Sequence, residues 1–485
     1  MRVKNTTGAT SRFKSAQLAI FALLMLAMSA SARALTLKEA VELAMRNDPA
    51  FLAAQANLNA SRERAGQAVA GLLPQLAASA NATVNRRRYT LHTNPSPTDM
   101  PAERYNSNSA QLNLTQPLWR HGSMIAVAQA DLAVSQADFQ LSAAAQDMLV
   151  RLAQAWFDVM QARDEVMSAE AQAQTAQRQM ELSQRGHGKG VLSLTELEGA
   201  RAKYGQAIAE RAAAQSELEI KLATLEQIIG TAEHTPPILS DQFAPPPPGS
   251  NTPDPWLAQA EAGNPTLLAA QRALDAASEE VRKQQAGHEP TLDLVASYGK
   301  SVQEAGISSG QPGFDSRQST VGLQFNMPLY AGGGQNAKVR EALALRDRAA
   351  QELEGARRKA RFAAKQAWLA WRTGQARETS ARQAVHSAKL ALSGAQSARA
   401  RGVKTDLDVL QAQQQNAAAL RDWRKARYDA ITNRLKLKAA CGQLSGDDLS
   451  ELDEALDAAP GPNPASQNRP HAENNSLAGH YSGPY

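Results

Sequence analysis

The chain has 485 residues, a formal charge of +5, 43% hydrophobic and 5% aromatic residues, and one cysteine, Cys441. A lone cysteine excludes an intramolecular disulfide framework. The basic excess carries no nucleic-acid reading, because residues 1–34 hold five basic side chains (Arg2, Lys4, Arg12, Lys14, Arg33) and no acidic one, leaving the remainder neutral.

In chain order, the basic start precedes an apolar run at residues 18–28 and the small-residue site Ala32-Arg33-Ala34, which reads as a cleaved secretory signal over 1–34. The run is shorter than the roughly 20 residues of a spanning helix. Leu35 follows, not cysteine, so no N-terminal lipid anchor is expected. The rest is written twice. NDPAFLAAQANL at 47–58 recurs as GNPTLLAAQRAL at 263–274, and Pro117, Gly190 and Gly230 recur as Pro328, Gly402 and Gly442. A period above 200 residues makes each copy a structural half rather than a solenoid unit. The first repeat is placed at 35–243, a Pro-rich linker (APPPPGSNTPDP) at 244–255 and the second repeat at 256–446. A C-terminal extension covers 447–485, with disorder expected from about 458.

Each repeat reads as a short helix, a strand hairpin and a long helical hairpin. The strands alternate with period two, the pattern of transmembrane strands. Ala78, Ala80, Ala82 and Val84 oppose Ser79, Asn81, Thr83 and Asn85; Ala110, Leu112 and Leu114 oppose Ser109, Gln111, Asn113 and Thr115. In the second repeat Leu292, Leu294, Ala296 and Tyr298 oppose Asp293 and Ser297, with Val295 off pattern, and Val321, Leu323, Phe325 and Met327 oppose Gly322, Gln324 and Asn326. Stretches 90–107 and 302–317 have loop composition. A half-buried sheet in a soluble domain has the same alternation, but the helical remainder supplies no apolar layer to cover one. Four strands do not close a membrane barrel, for which about eight is the minimum. Strands in a membrane therefore require several chains in one barrel. Arg86, Arg87 and Arg88 at a strand end suit acidic lipid headgroups or a charged loop base.

Pro117 and Pro328 mark the passage from strand to long helix. Residues 120–185 contain no proline and would reach roughly 100 Å at about 1.5 Å per residue. Their apolar positions follow two seams: one through Val127, Val134, Leu141, Met148, Ala155 and Val159, the other through Ile125, Leu132, Leu149, Ala153, Trp156 and Met160. Two seams imply neighbours on both sides. Residues 335–399 repeat the pattern through Val339, Ala342, Ala349, Leu353, Ala356, Ala360, Ala363, Ala367 and Ala370. Glycine-containing bends at 185–193 and 398–405 lead into return helices at 194–229 and 406–440.

Chemistry-bearing patterns are absent. Eight histidines are scattered without metal spacing, so no metal, cofactor or catalytic constellation is expected. His187 in GHGKG lacks phosphate-loop spacing and reads as a hairpin turn. The carboxylate pairs Asp164-Glu165 and Glu279-Glu280 read as solvated helix faces.

With NDPAFLAA, GLLPQLAASANAT, LNLTQPLW, GVLSLTELEGARAKY, EPTLDLVASYG, VGLQFNMPLYAGG and GVKTDLDVLQAQ in order, nearly the whole mature chain resembles the TolC family. The resemblance implies an α-dominated α+β fold: a homotrimer whose chains share a 12-stranded outer-membrane β-barrel continuous with a periplasmic α-helical barrel. It implies a passive exit duct, not an enzyme, in a tripartite system with a periplasmic adaptor and an inner-membrane ABC or proton-driven pump. The cargo would be type I secreted proteins, drugs or both, and the missing lipid-anchor cysteine leans toward the TolC-like secretion branch. It further implies adaptor-docking turns at Gly190, Val191, Leu192, Ser193, Gly402 and Val403. Carried over position by position, the gate maps to Thr195, Glu196, Lys404, Asp408 and Gln411, with Arg399 where the family has a tyrosine and Gln411 where it has a second ring aspartate. A periplasmic coiled-coil adaptor or structural protein, the alternative, would carry one hairpin and no alternating strands.

Overall fold

The computed structural model describes residues 35–88, 90–92, 95–99, 102–231, 238–239, 252–305, 312–453 and 456–457. The expected leader, most of the linker and the tail from 458 lie outside them. The first repeat comprises α1 (Leu37–Asn47), α2 (Pro49–Ala70), β1 (Gln75–Arg87), the small ribbon β2 (Thr90–His92) and β3 (Pro97–Asp99), β4 (Glu103–Trp119), α3 (His121–Gly188) and α4 (Leu194–Ile229). After β5 (Ile238–Leu239), the second comprises α5 (Asp254–Gly263), α6 (Pro265–Gln285), β6 (Thr291–Ala305), β7 (Pro312–Asn326), α7 (Gly334–Ala400) and α8 (Asp406–Ala440). A short α9 (Gly446–Ser450) and β8 (Leu456–Asp457) follow, and β8 pairs with β5. Asp254 and Pro255, expected in the linker, already belong to α5, since proline is well tolerated in a first helical turn.

The repeats are joined internally by the same device. Asp48 caps α2 by accepting from the Phe51 N–H at 2.8 Å, and Asn264 caps α6 by accepting from the Leu267 N–H at 3.1 Å, each followed by proline. The foot of each capped helix meets the end of a return helix. Asn47 donates to the Ile229 carbonyl at 2.7 Å beside Gly230, and Asn264 donates to the Ala440 carbonyl at 2.9 Å near Gly442. Both glycines have left-handed backbones, φ +77° and +72°. So α4 continues into α2 and α8 into α6, two composite columns that run beside most of the length of α3 and α7. The wall then runs α4/α2, α3, α8/α6, α7, so α3 is flanked on both sides while α4/α2 and α7 form its outer edges.

The largest core lies where α1 packs on the middle of this wall. Leu37, Ala40, Val41 and Ala44 meet Met148, Leu152, Trp156 and Val159 of α3, Leu225 and Ile229 of α4, and Ile431 and Leu435 of α8. In α7 the expected seam slips. Beyond Ala360 the next buried positions are Ala364, Trp368 and Trp371, while Ala363 is exposed. The two tryptophans remove more apolar surface from water than a line of alanines and set the helix rotation.

The sheet order is β1-β4-β6-β7, antiparallel throughout. Its strands are longer than expected, because residues 103–107, 302–305 and 312–317 extend the ladders into stretches read as loop. Pro117 does not end β4; it sits opposite Asp293, and the register shifts between Pro117 and Trp119. That irregularity removes one ladder donor and turns Trp119 toward the face of Leu292. Pro328 lies between β7 and α7, as expected. Register places Ala78, Leu112, Tyr298, Val321, Leu323 and Phe325 on one face, with Ser79, Gln111, Gly299 and Gln318 on the other. The apolar face is open: Val321 is 74% exposed, Leu323 67% and Phe325 64%.

The helix junctions make a first prediction. A Cβ on Gly442 would lie 2.0 Å from the Gly263 carbonyl oxygen, whereas one on Gly402, at φ +75°, meets nothing within 4 Å. Gly402→Ala adds only the left-handed backbone cost of about 1 kcal/mol, and Gly442→Ala adds overpacking of about 1–3 kcal/mol to it. In a urea titration followed by helical circular dichroism, Gly442→Ala is expected to shift the midpoint clearly further; equal shifts would exclude a tight junction.

Candidate functional site

The two hairpin tips have the same construction. At the end of α3 the Gly190 N–H donates to the His187 carbonyl at 2.8 Å and the Val191 N–H to the Gly186 carbonyl at 2.9 Å. At the end of α7 the Gly402 N–H donates to the Arg399 carbonyl at 2.9 Å and the Val403 N–H to the Ala398 carbonyl at 2.9 Å. This is a Schellman closure, and the left-handed residue it needs is Gly190 or Gly402. Three residues after that glycine each return helix opens with a capping box. The Glu196 carboxylate accepts from the Ser193 N–H at 2.8 Å and its hydroxyl at 2.9 Å, and the Asp408 carboxylate accepts from the Thr405 N–H at 2.8 Å and its hydroxyl at 2.7 Å.

These bonds hold both carboxyls below their ordinary range. For Glu196 the main cause is the Ser193 N–H and then its hydroxyl; for Asp408 it is the Thr405 hydroxyl and N–H, with Lys404 adding a smaller attraction. Between the matched turns Leu192 and Lys404 differ. Leu192 folds against Gly186, whereas Lys404 is exposed. Val191 and Val403 project at 76% and 77% exposure, with Leu194 exposed beside the first.

Of the gate residues expected from the sequence, the structure joins Arg399 to Asp406 in an ion pair across the second turn. The cation standing in place of a tyrosine thus has a carboxylate of its own. Among the described residues no ion pair links Glu196 to Lys404; both belong to exposed tips, as does Thr195. Gln411 lies one turn above Asp408 and lines a polar hollow of about 450 Å³ between the hairpins, with Gln172, Gln179, Gln206 and Gln414. His187 closes its own turn, its Nδ1 lying 3.0 Å from the Leu192 carbonyl.

Farther up the wall stands a charged girdle. Asp164 of α3 accepts from Arg424 at 2.8 Å and the Tyr428 hydroxyl at 2.9 Å, and Glu378 of α7 accepts from Arg382 at 2.7 Å and the Trp423 indole at 2.9 Å. Arg427 stacks over the Trp423 ring at 4.8 Å. Asp164 and Glu378 are buried, and burial pushes the Asp164 carboxyl up against the lowering by Arg424 and Tyr428. The solvated-face reading of Asp164 is therefore corrected: its partners sit some 260 positions away on α8. Glu165 meets Arg421 at 3.3 Å, Glu279 meets Arg282 at 2.8 Å, and Glu280 accepts from Gln129 at 2.9 Å and pairs with Lys283 at 2.6 Å. At the sheet's base Arg120 grips the buried Asp293 through two bonds of 2.8 and 2.7 Å, clamping the start of α3 to β6. Among the described residues no group of three metal-ligating side chains converges, and no helix is long and apolar enough to cross a membrane. Cys441 is buried, which pushes its thiol up to about 11.

The profile of the outer membrane efflux protein family matches residues 40–231 and 256–443, one stretch in each repeat. The chain belongs to this family. It is 31% identical over 303 residues to the outer membrane protein TolC of Escherichia coli, a match covering 60% of each chain. The match thus spans less than two thirds of that relative. It is 28% identical to the proteases secretion protein PrtF of Dickeya chrysanthemi over 89% of this chain and 93% of that one. Among solved structures it resembles the Campylobacter jejuni CmeC outer membrane channel, with TM-score 0.70 and 17% identity over 87% of this chain and 90% of that one. The outer membrane protein VceC of Vibrio cholerae gives 0.64 and 21% over 84% and 96%. At these identities the likeness is one of fold: a TolC-like channel fold, mostly helical. Like its relatives, this family member is an outer-membrane protein.

The capping boxes separate two roles of one carboxylate. Glu196→Gln should preserve the box, since an amide oxygen can still accept, while removing the charge; Glu196→Ala removes both. Hydrogen exchange at 196–199 should quicken several-fold in the alanine variant and little in the glutamine variant. Because both carboxyls have depressed values, their contribution is present above the ordinary carboxylate range and is lost as pH falls through the lower folded value. Exchange at 193–199 and 405–411 should therefore rise before the α1 core loosens as pH drops below about 4. Simultaneous loosening would exclude local capping as the origin.

Proposed function

We propose that the chain is the exit duct of a tripartite export system, assembled as a homotrimer whose three four-stranded sheets close one 12-stranded barrel. One observation carries this reading: an antiparallel sheet with a bare apolar face and open edges at β1 and β7 continues directly into helices of 68 and 67 residues. In a bilayer unpaired strand edges are intolerable, and only closure removes them. The duct is passive. A periplasmic adaptor and an inner-membrane ABC or proton-driven pump select and drive the cargo, and the helical barrel spans the periplasm toward them. Relatives named for protease secretion, such as PrtF and the alkaline protease secretion protein AprF of Pseudomonas aeruginosa, support type I protein secretion. Relatives named as efflux proteins support drug export as a second use. An adaptor or filament is disfavoured because such a protein would not need the open apolar sheet.

The adaptor docks on the turns Gly190, Val191, Leu192, Ser193, Gly402 and Val403. Their projecting valines offer matching apolar points at both hairpins, and among the described residues nothing lies within 4 Å of a Cβ at either glycine. Gly190→Leu with Gly402→Leu is expected to abolish export from cells while the trimer forms in normal yield. Undiminished export would remove the turns from the docking surface.

The same tips form the gate. Since α4 and α7 are the wall's outer edges, Glu196 of one chain pairs with Lys404 of its neighbour, Arg399 and Thr195 complete the network, and Asp408 gives a single acidic ring with Gln411 above it. Such exposed pairs are individually weak and bias closure without locking it. In planar bilayers Lys404→Ala and Glu196→Gln should each raise opening frequency, and Asp408→Asn should shift the reversal potential toward lower cation selectivity. Wild-type behaviour of all three would exclude a gate at these positions.

A further inference from the structure

The open face of the sheet is apolar over most of its height, but cations border it at the end remote from the helices. Arg86 of β1 lies directly opposite Arg104 of β4, and Lys300 of β6 directly opposite Arg317 of β7. All four side chains are exposed and on the apolar face, since Ala80, Ala110 and Lys300 share one register line with Arg317. Their neighbour Arg87 points the other way, into a pair with Glu103.

Like charges directly opposed across a ladder destabilise it. Two acidic groups share the face. Asp315 lies 3.3 Å from Lys300, and Glu304 accepts from the Asn106 N–H at 3.1 Å. Among the described residues Arg86, Arg104 and Arg317 have no ion-pair partner, so each cation pair retains excess positive charge. Between the pairs the surface sinks. A hollow of about 400 Å³ is floored by Ala80, Ala82 and Ala110 and edged by Asn108, Lys300 and Val302. The pairs are six residues apart along the strands, about 20 Å at roughly 3.3 Å per residue. Flexible side chains reaching inward from both ends shorten that span considerably.

We propose that this hollow is a binding site for a bis-phosphorylated, multiply acylated glycolipid of the outer leaflet. Arg86 and Arg104 take one phosphate, Lys300 and Arg317 the other, the sugar head rests over the alanines and acyl chains descend along Leu112, Val321 and Leu323. Two separated phosphates on one rigid head match two separated cation pairs. A singly charged phospholipid satisfies only one. Guanidinium groups suit phosphate through parallel bonds, and small side chains leave room for a bulky head. The proposal rests on the reading of the sheet as part of an outer-membrane barrel.

The test titrates the full-length protein in detergent with bis-phosphorylated lipid A, monophosphoryl lipid A and phosphatidylethanolamine, and counts bound lipid by native mass spectrometry, which reports the oligomer in the same spectrum. Wild-type trimer should bind the bis-phosphorylated lipid at least tenfold more tightly than phosphatidylethanolamine and several-fold more tightly than the monophosphoryl form. Arg104→Gln with Arg317→Gln should weaken it at least tenfold, whereas Arg401→Gln at the remote tip should leave it unchanged. Trimer that binds the three lipids alike, or a double variant that binds as wild type does, overturns the site and leaves the duct. A wild-type spectrum containing only monomer overturns the barrel and the site together.

Discussion

The structure depends on one constraint: α3 and α7, 68 and 67 residues long, must each keep a packed partner along their whole length. Isolated helices gain little from propensity alone and are held by their buried faces. No single return helix is long enough, since α4 and α8 have 36 and 35 residues. The chain meets the deficit by standing α2 on α4 and α6 on α8. This explains why an Asn or Asp cap, a proline and a facing glycine recur at both joints. A side chain on Gly442 would meet the Gly263 carbonyl, so the column closes only around glycine. The duplication is thus a mechanical necessity of the wall as well as a trace in the sequence.

Along that wall the nature of the packing changes. Around α1 the core is large and apolar, with Trp156, Met148 and Leu152 almost completely buried. At Asp164 and Glu378 it becomes a charged girdle in which α8 is bonded to both α3 and α7. Nearer the tips the buried apolar side chains are mostly alanines with single larger ones, Ala173, Leu197 and Ala200 in the first hairpin and Ala395, Val409 and Ala412 in the second, beside the glutamine-lined hollow. Removing one partner from a buried charged pair costs more than the pair contributes, so the girdle resists sliding and fixes rotation more than it adds stability. Below it, small and polar contacts can exchange for water at low cost. The gradient concentrates compliance at the tips.

Much of this was legible in residue order. The return helices at 194–229 and 406–440 follow from the glycine-containing bends before them, and the structure adds Ser193 and Thr405 as their caps. What was not legible depended on distant partners. Asp164 continues the line of Trp156 and Met160 at four-residue spacing, a signal that it faces inward, but its charge argued for solvent until Arg424 and Tyr428 supplied partners. The seam of α7 went astray at Ala363 for a related reason: spacing alone does not say whether alanines or Trp368 and Trp371 will claim the interface. Strand ends were underestimated because the charged and polar residues 103–107 and 312–317 resemble loop, whereas antiparallel pairing can carry them in a ladder that protrudes beyond an apolar band.

At the tips a carboxylate serves its own helix before it can serve a gate. Glu196 and Asp408 sit at equivalent positions of equivalent turns, and the same two bonds from a cap residue engage each. A carboxylate there is required by the helix start before it can serve any gate, and the depressed values of both groups come first from the caps. The tips diverge only at positions free of that duty. Leu192 is matched by Lys404, and Arg399 and Asp406 neutralise one another across the second turn alone. The charge available for contacts beyond the chain is therefore asymmetric: the first tip offers an acid and a tucked leucine, the second an uncommitted lysine beside a satisfied arginine. In the proposed trimer, alternation of the two tips around a ring would set Glu196 and Lys404 toward each other at every junction between chains, and that alternation, rather than any single residue, would give a closed end its complementarity.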